Sequence, residues 1–159
     1  MNQPNLDLTI QRWASLVILA VYSKGSLLGF ILGIEPKKKT PCYKFIGGSG
    51  EDEDSAVDFP PLGTAYRETK EESGLDLPLD TFHEIKEARE WRTAPNEHWV
   101  FTFIARITES QILDINDNHP ENGGVKPKYF TLEEIENLIN NNKFLRRHLE
   151  RLSIAKSKT

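Results

Sequence analysis

Between Trp13 and Ile34 the chain carries two long apolar runs whose only charged residue is Lys24, and this stretch limits the fold more than any other. Taken as one segment it approaches the length of a membrane-spanning helix, but Tyr22-Ser23-Lys24-Gly25-Ser26 breaks it in the middle. Two runs rich in Leu, Ile and Val, joined by a Ser/Gly turn with a lysine at its tip, predict a β-hairpin buried in a soluble core, with strands Trp13 to Tyr22 and Ser26 to Ile34. A chain of 159 residues, 38% hydrophobic, can bury one such core, so a single domain over 1–159 is expected.

Other features narrow the classes of partner. The segment before Trp13 has Arg12 as its basic residue and no small-residue cleavage site follows, so neither a signal peptide nor a membrane partner is expected. Cys42 is the one cysteine, which leaves no intramolecular disulfide and no Cys/His zinc spacing and points to the cytoplasm. With 20 Lys and Arg against 24 Asp and Glu the net charge is -4, a sign that repels nucleic-acid polymers, although a local basic patch can still hold a small phosphate ligand.

Along the rest of the chain, Tyr43 to Ile46 reads as a short strand running into Gly47-Gly48. Ser49 to Phe59, acidic and small, reads as a flexible exposed loop. Pro60-Pro61 opens a helix over Pro61 to Ser73, which Gly74 closes. Strands are expected over Thr81 to Trp91, His98 to Ile107 and Lys128 to Thr131, with Arg92 to Glu97 a turn and Asn116 to Gly124 a loop. Leu132 to Asn141 and Phe144 to Leu152 read as helices, and Ser153 to Thr159 as a frayed tail. The sum is an α/β chain of the α+β kind, a mixed sheet covered by helices.

The helix is where chemistry concentrates. At about 100° per residue, Glu68, Glu71 and Glu72 fall on one side. Leu62, Ala65, Tyr66, Thr69 and Ser73 form a packing face, and Gly63, Arg67 and Lys70 the remainder. Three clustered carboxylates repel one another, and docking the helix desolvates them, so a hard divalent cation with oxygen ligands is the natural partner. Arg67, four residues before Glu71, can pair with it.

Arg67-Glu68-Thr69-Lys70-Glu71-Glu72-Ser73-Gly74-Leu75 resembles the second half of the Nudix box, Arg-Glu-U-X-Glu-Glu-X-Gly-U with U aliphatic. Thr69 stands at an aliphatic position and Phe45-Ile46-Gly47-Gly48 is similar to the strand-to-glycine entry of the same box. The first half departs: counting back from Arg67 puts Phe59 where the box has its glutamate and Glu53 where it has its glycine. With Gly48 as the box glycine, the loop is five residues longer and Asp54 falls at the acidic position.

The resemblance implies a mixed sheet sandwiched between helices and a Mg2+-dependent hydrolase, Mn2+ being a possible substitute, that cleaves the diphosphate of a small nucleotide-like substrate. It implies Glu68 and Glu72 as metal ligands, with the Gly47 carbonyl and Glu71 as further ligands. Arg67, Glu71 and Glu72 would be catalytic, and Glu121, in the loop before Tyr129, an additional metal ligand or general base, with Glu97 a weaker candidate. Trp91, Trp99 and Tyr129 are candidates for stacking a base, and Lys37, Lys38 and Lys39 for meeting phosphates. A nucleotide sensor of the same fold, which binds without cleaving, is the competing expectation.

Overall fold

A computed structural model describes residues 3–116 and 124–158. The hairpin is the centre of the sheet. Strand β1, Trp13–Ser23, turns through Lys24 and Gly25, both at positive φ (52° and 80°), into the antiparallel strand β2, Ser26–Ile34. Positive φ at both central residues is the turn that matches the twist of a tight hairpin, which places glycine at the second position.

Strands β3 (Ile46–Ser49), β4 (Phe82–Glu84), β5 (Glu90–Arg92), β6 (His98–Thr108) and β7 (Lys126–Thr131) complete a sheet of order β4-β6-β1-β2-β7, with β3 paired to β1 and β5 to β6. The β1–β6 pair is parallel and the other pairs are antiparallel, so the sheet is mixed as expected. Val17, Leu19 and Val21 of β1 pack on the side of helix α1 (Pro60–Ser73). Ile18 and Ala20 pack on the other side, with residues of α2 (Leu132–Asn140) and α3 (Leu149–Ser157). Alternation along one strand thus feeds two cores. Each large aliphatic side chain so buried contributes roughly 1.5–3 kcal/mol.

Four expectations are corrected. The strand expected over Thr81 to Trp91 is two short strands, β4 and β5, separated by a 3-10 turn at Lys86–Ala88, and both pair with β6. Tyr43 and Lys44 make only isolated bridges, and the regular strand is Ile46–Ser49, so Gly47 and Gly48 are strand residues. The last helix begins at Leu149 rather than Phe144 and runs to Ser157; Ala155 and Leu152 are buried, which holds the expected frayed tail in place. The loop from Ser49 to Phe59 contains a 3-10 helix, Asp52–Ala56, folded onto α1 with Asp54 only 3% exposed. Among the described residues no helix is long and apolar enough to cross a membrane.

Candidate functional site

Helix α1 starts with Pro60 and Pro61 and ends at Gly74, whose φ of 79° no β-carbon-bearing residue adopts cheaply. It is covered on two sides. Ala65, Thr69 and Ser73 face the sheet, whereas Gly63, expected on the outer face, is buried under the 3-10 segment: a β-carbon there would meet the Asp54 carbonyl oxygen at 2.6 Å. Phe59, at the N-cap, packs edge-on against Phe101 at 5.4 Å, so the aromatic at the box glutamate position is an anchor to the core.

A carboxylate reaches Arg67 from the 3-10 segment. Asp54 accepts from Arg67 Nε at 3.0 Å and Nη2 at 3.1 Å, from the Thr64 hydroxyl at 2.6 Å and from Glu51 N–H at 2.9 Å. Thr64 accepts in turn from Trp13 Nε1 at 2.8 Å. Burial alone would raise the Asp54 pKa, but the hydrogen bonds from Arg67, Thr64 and Glu51 outweigh it, and the carboxyl is held below its ordinary value. Arg67 behaves the same way: burial opposes its charge, the hydrogen bond to Asp54 and the charges of Glu68, Asp54 and Glu71 more than restore it, and its pKa is raised. Its Nη1 donates to Glu68 at 2.9 Å and to both Glu71 oxygens at 3.2 and 3.3 Å, and its Nη2 donates to the Ser49 carbonyl at 2.9 Å. One guanidinium therefore ties the entry loop, Asp54 and two helix acids together.

The acid face lies against β3. Gly47 N–H donates to Glu72 Oε1 at 2.9 Å. In an extended strand a residue's N–H and C=O leave on the same side, so the Gly47 carbonyl points toward α1 as well. The Glu68 carboxylate lies where a β-carbon on Gly48 would come within 2.4 Å of it, so a larger residue there would push that carboxylate aside. Burial pushes the Glu72 carboxyl up to about 8, with Glu68 adding to the rise and the Gly47 hydrogen bond and Lys44 working against it. The Glu68 carboxyl is raised by burial and by Glu71, against the pull of Arg67.

Two desolvated carboxylates beside the Gly47 main chain suit a hard divalent cation. Among the described residues no three His, Cys, Asp or Glu side chains converge on one point. Glu71 is instead drawn to Arg67. Mg2+ fits such a partial cage, since it commonly keeps waters and takes its remaining ligands from substrate phosphates.

The other candidates are scattered. Trp99 is 4% exposed, its indole N–H bonded to Gln11 at 3.0 Å, and Trp91 packs edge-on against it at 5.4 Å. A core position leaves Trp99 no open face for a base. Tyr129 is half-buried on the α1 face, with its pKa raised by burial and by Glu109 and Glu134. Lys37 and Lys39 are exposed on the loop after β2, and Lys38 pairs with Glu35 at 3.5 Å. Glu97 is exposed in the turn before β6. Glu121 lies outside the described residues.

Sequence reasoning missed the basic residues beside β3. Lys44, Arg92 and Arg147 line a cleft of about 190 Å³ with Gly47 and Gly48. They are far apart in sequence: the pairing of β5 with β6 brings Arg92 to the cleft, and the return of the C-terminal segment to the approach to β3 brings Arg147. A larger cleft of about 730 Å³, lined by Gln11, Trp13, Gly50, Glu51, Pro95 and Asn96 among others, adjoins it across Ser49 and His98.

Comparison with known proteins gives the family and the fold. Residues 14–152 match the family model of the NUDIX domain, and the chain belongs to the Nudix family. Among solved structures it is similar to the NUDIX domain of Shewanella oneidensis NrtR complexed with ADP ribose, at 17% identity and a TM-score of 0.63 over 97% of this chain and 94% of that one. It is also similar to a Caenorhabditis elegans Ap4A hydrolase in a binary complex, at 15% identity and a TM-score of 0.59 over 93% and 99%. A MutT/nudix family protein from Enterococcus faecalis shares 17% identity with a TM-score of 0.55 over 82% of this chain, which spans 47% of that longer protein. These likenesses show the Nudix fold. Nothing among the curated proteins matches.

Proposed function

We propose that the chain is a Mg2+-dependent pyrophosphohydrolase that cleaves a nucleoside diphosphate linked to a further group. The observation that carries this reading is the buried Asp54–Arg67 pair. It braces the acid helix against the entry loop although Phe59 replaces the glutamate of the box. The pair keeps the Glu68 and Glu71 carboxylates, both bonded to the same guanidinium, in the arrangement a metal-assisted hydrolysis needs.

In this reading Glu68, Glu72 and the Gly47 carbonyl hold the metal. When bound there, Mg2+ neutralises charge on the diphosphate oxygens and lowers the pKa of an attacking water. Glu71, part-exposed and steadied by Arg67, orients that water or takes its proton, and Glu121 is a second proton acceptor to test. Arg67 fixes the carboxylates, and such positioning supplies much of the rate in phosphoryl transfer. Tyr129 and Trp91 remain candidates for base contacts, and Lys37 and Lys39 for phosphate contacts.

The solved relatives support a small nucleotide ligand: one is described as complexed with ADP ribose and another as an Ap4A hydrolase. The second reading, a sensor that binds such a ligand without cleaving it, is favoured by Phe59 and the lengthened loop. A screen of nucleoside triphosphates, nucleotide sugars and dinucleoside polyphosphates with Mg2+, read by product chromatography, separates the two. Metal-dependent cleavage of any of them supports the hydrolase. Tight binding with every ligand recovered intact supports the sensor.

A further inference from the structure

The small basic cleft is built by main-chain pairing rather than by chance approach of surface residues. Tyr43 N–H donates to the Lys143 carbonyl at 2.7 Å, Leu145 N–H to the Tyr43 carbonyl at 2.8 Å, and Phe45 N–H to His148 Nδ1 at 3.1 Å. These bonds fix the turn before α3 against the approach to β3, and so place Arg147 beside Lys44 and Gly47. Lys44 is paired with Glu35 at 2.8 Å and Arg92 with Glu90. The Arg147 guanidinium is exposed and, among the described residues, has no carboxylate partner. Arg151, 4% exposed, adds a fixed charge behind, and its nearest carboxylate oxygen, on Glu90, is 3.8 Å away.

Position gives the cleft its meaning. Its floor is Gly47 and Gly48, whose other neighbours are Glu72 and Glu68. A phosphate chain held at the acid face therefore meets the cations as it continues across the two glycines. At about 190 Å³ the cleft is below the usual size of a whole-ligand pocket, whereas the adjoining 730 Å³ cleft is well within it. One is large enough for a nucleoside and the other for a single group of the same substrate.

Resting on the hydrolase reading, we propose that Lys44, Arg92 and Arg147 form a phosphate subsite beyond the cleaved bond. The substrate is then a nucleoside polyphosphate of three or more phosphates, free or capped by a second nucleoside, rather than a nucleotide joined to a neutral sugar.

The test uses Arg147→Gln, with Arg146→Gln as a control that removes an equally exposed charge outside the cleft and Arg147→Lys as the conservative variant. Calorimetry with inorganic tripolyphosphate in the absence of divalent metal should show binding weakened about tenfold in Arg147→Gln, little changed in Arg146→Gln and partly restored in Arg147→Lys. With Mg2+, KM for nucleoside tetraphosphate should rise about tenfold in Arg147→Gln while kcat stays within about twofold. Equal tripolyphosphate affinity and equal KM in wild type and Arg147→Gln would overturn the subsite while leaving the hydrolase reading intact. Weakened tripolyphosphate binding in Arg147→Gln, beside a wild type that cleaves no nucleotide, would keep the three cations as a phosphate site and sink the hydrolase.

Discussion

Asp54 and Arg67 are joined twice, Oδ1 to Nε at 3.0 Å and Oδ2 to Nη2 at 3.1 Å, in a pair of which only 3% of the aspartate and 13% of the arginine side chain meets solvent. Asp54→Ala leaves the guanidinium with Glu68 and Glu71 but removes its most buried partner. The expected loss is about 2–3 kcal/mol, near or below the lower end for breaking a buried pair because Arg67 keeps other carboxylates. Urea unfolding midpoints measure it. Asp54→Asn keeps the shape without the charge, so kcat should fall at least about tenfold with a smaller loss of stability.

Glu72 and Glu68 differ from Glu71 in how they meet β3, and their variants should differ accordingly. Glu72→Gln and Glu68→Gln should each abolish the rise in melting temperature that Mg2+ confers on the wild type, because each removes one ligand charge. Glu71→Gln should lower turnover severely while keeping much of that rise. Thermal unfolding with and without excess EDTA reads the contrast, and a full Mg2+ shift in Glu72→Gln would remove it from the metal site.

Gly48→Ala tests the cradle. The added carbon would lie 2.4 Å from Glu68 Oε1, and the carboxylate can yield only by leaving the strand. Half-saturation of activity by Mg2+ should move up by about tenfold, with the far-ultraviolet spectrum unchanged. An unaltered Mg2+ requirement would show that Glu68 does not need that position.

Much of this site was legible in the sequence because helix geometry is local. The run from Arg67 to Leu75, the closing Gly74 and the hairpin turn at Lys24-Gly25 depend on neighbours a few residues away. Counting from Gly48 also put Asp54 at the acidic position. Its burial was not legible: acidic, small residues ordinarily mark a solvated loop, and the loop closes on α1 through Arg67, Thr64 and the space left by Gly63, contacts that composition does not reveal. The burial of Trp99 was not legible for a related reason, since an indole on a strand reads alike whether it faces core or ligand. The cations Lys44, Arg92 and Arg147 meet through contacts between residues more than forty positions apart.

His148 gives the chain a sensitivity to acid. Burial, then the charges of Arg151, Lys44, Arg147 and Arg92, push its pKa down from 6.5 to about 3, while its Nδ1 accepts from Phe45 N–H. The folded value lies below the unfolded one, so this stability is complete above pH 6.5 and is lost as pH falls toward 3. The slope is at most about 1.4 kcal/mol per pH unit. His148→Asn should flatten the stability profile between pH 4 and 6 relative to wild type, whose other groups cancel in the difference. Parallel profiles for the two proteins would argue that His148 is already charged when folded.

An acid helix braced by Asp54 rather than by a box glutamate should still break a phosphoric anhydride. Phosphorus NMR of a nucleoside polyphosphate mixed with the chain and Mg2+ tests this most directly. The anhydride resonances should decay into those of shorter phosphates, and EDTA or Glu72→Gln should stop the decay. Binding of the same ligand, with its anhydride resonances shifted but undiminished in the presence of Mg2+, would contradict it.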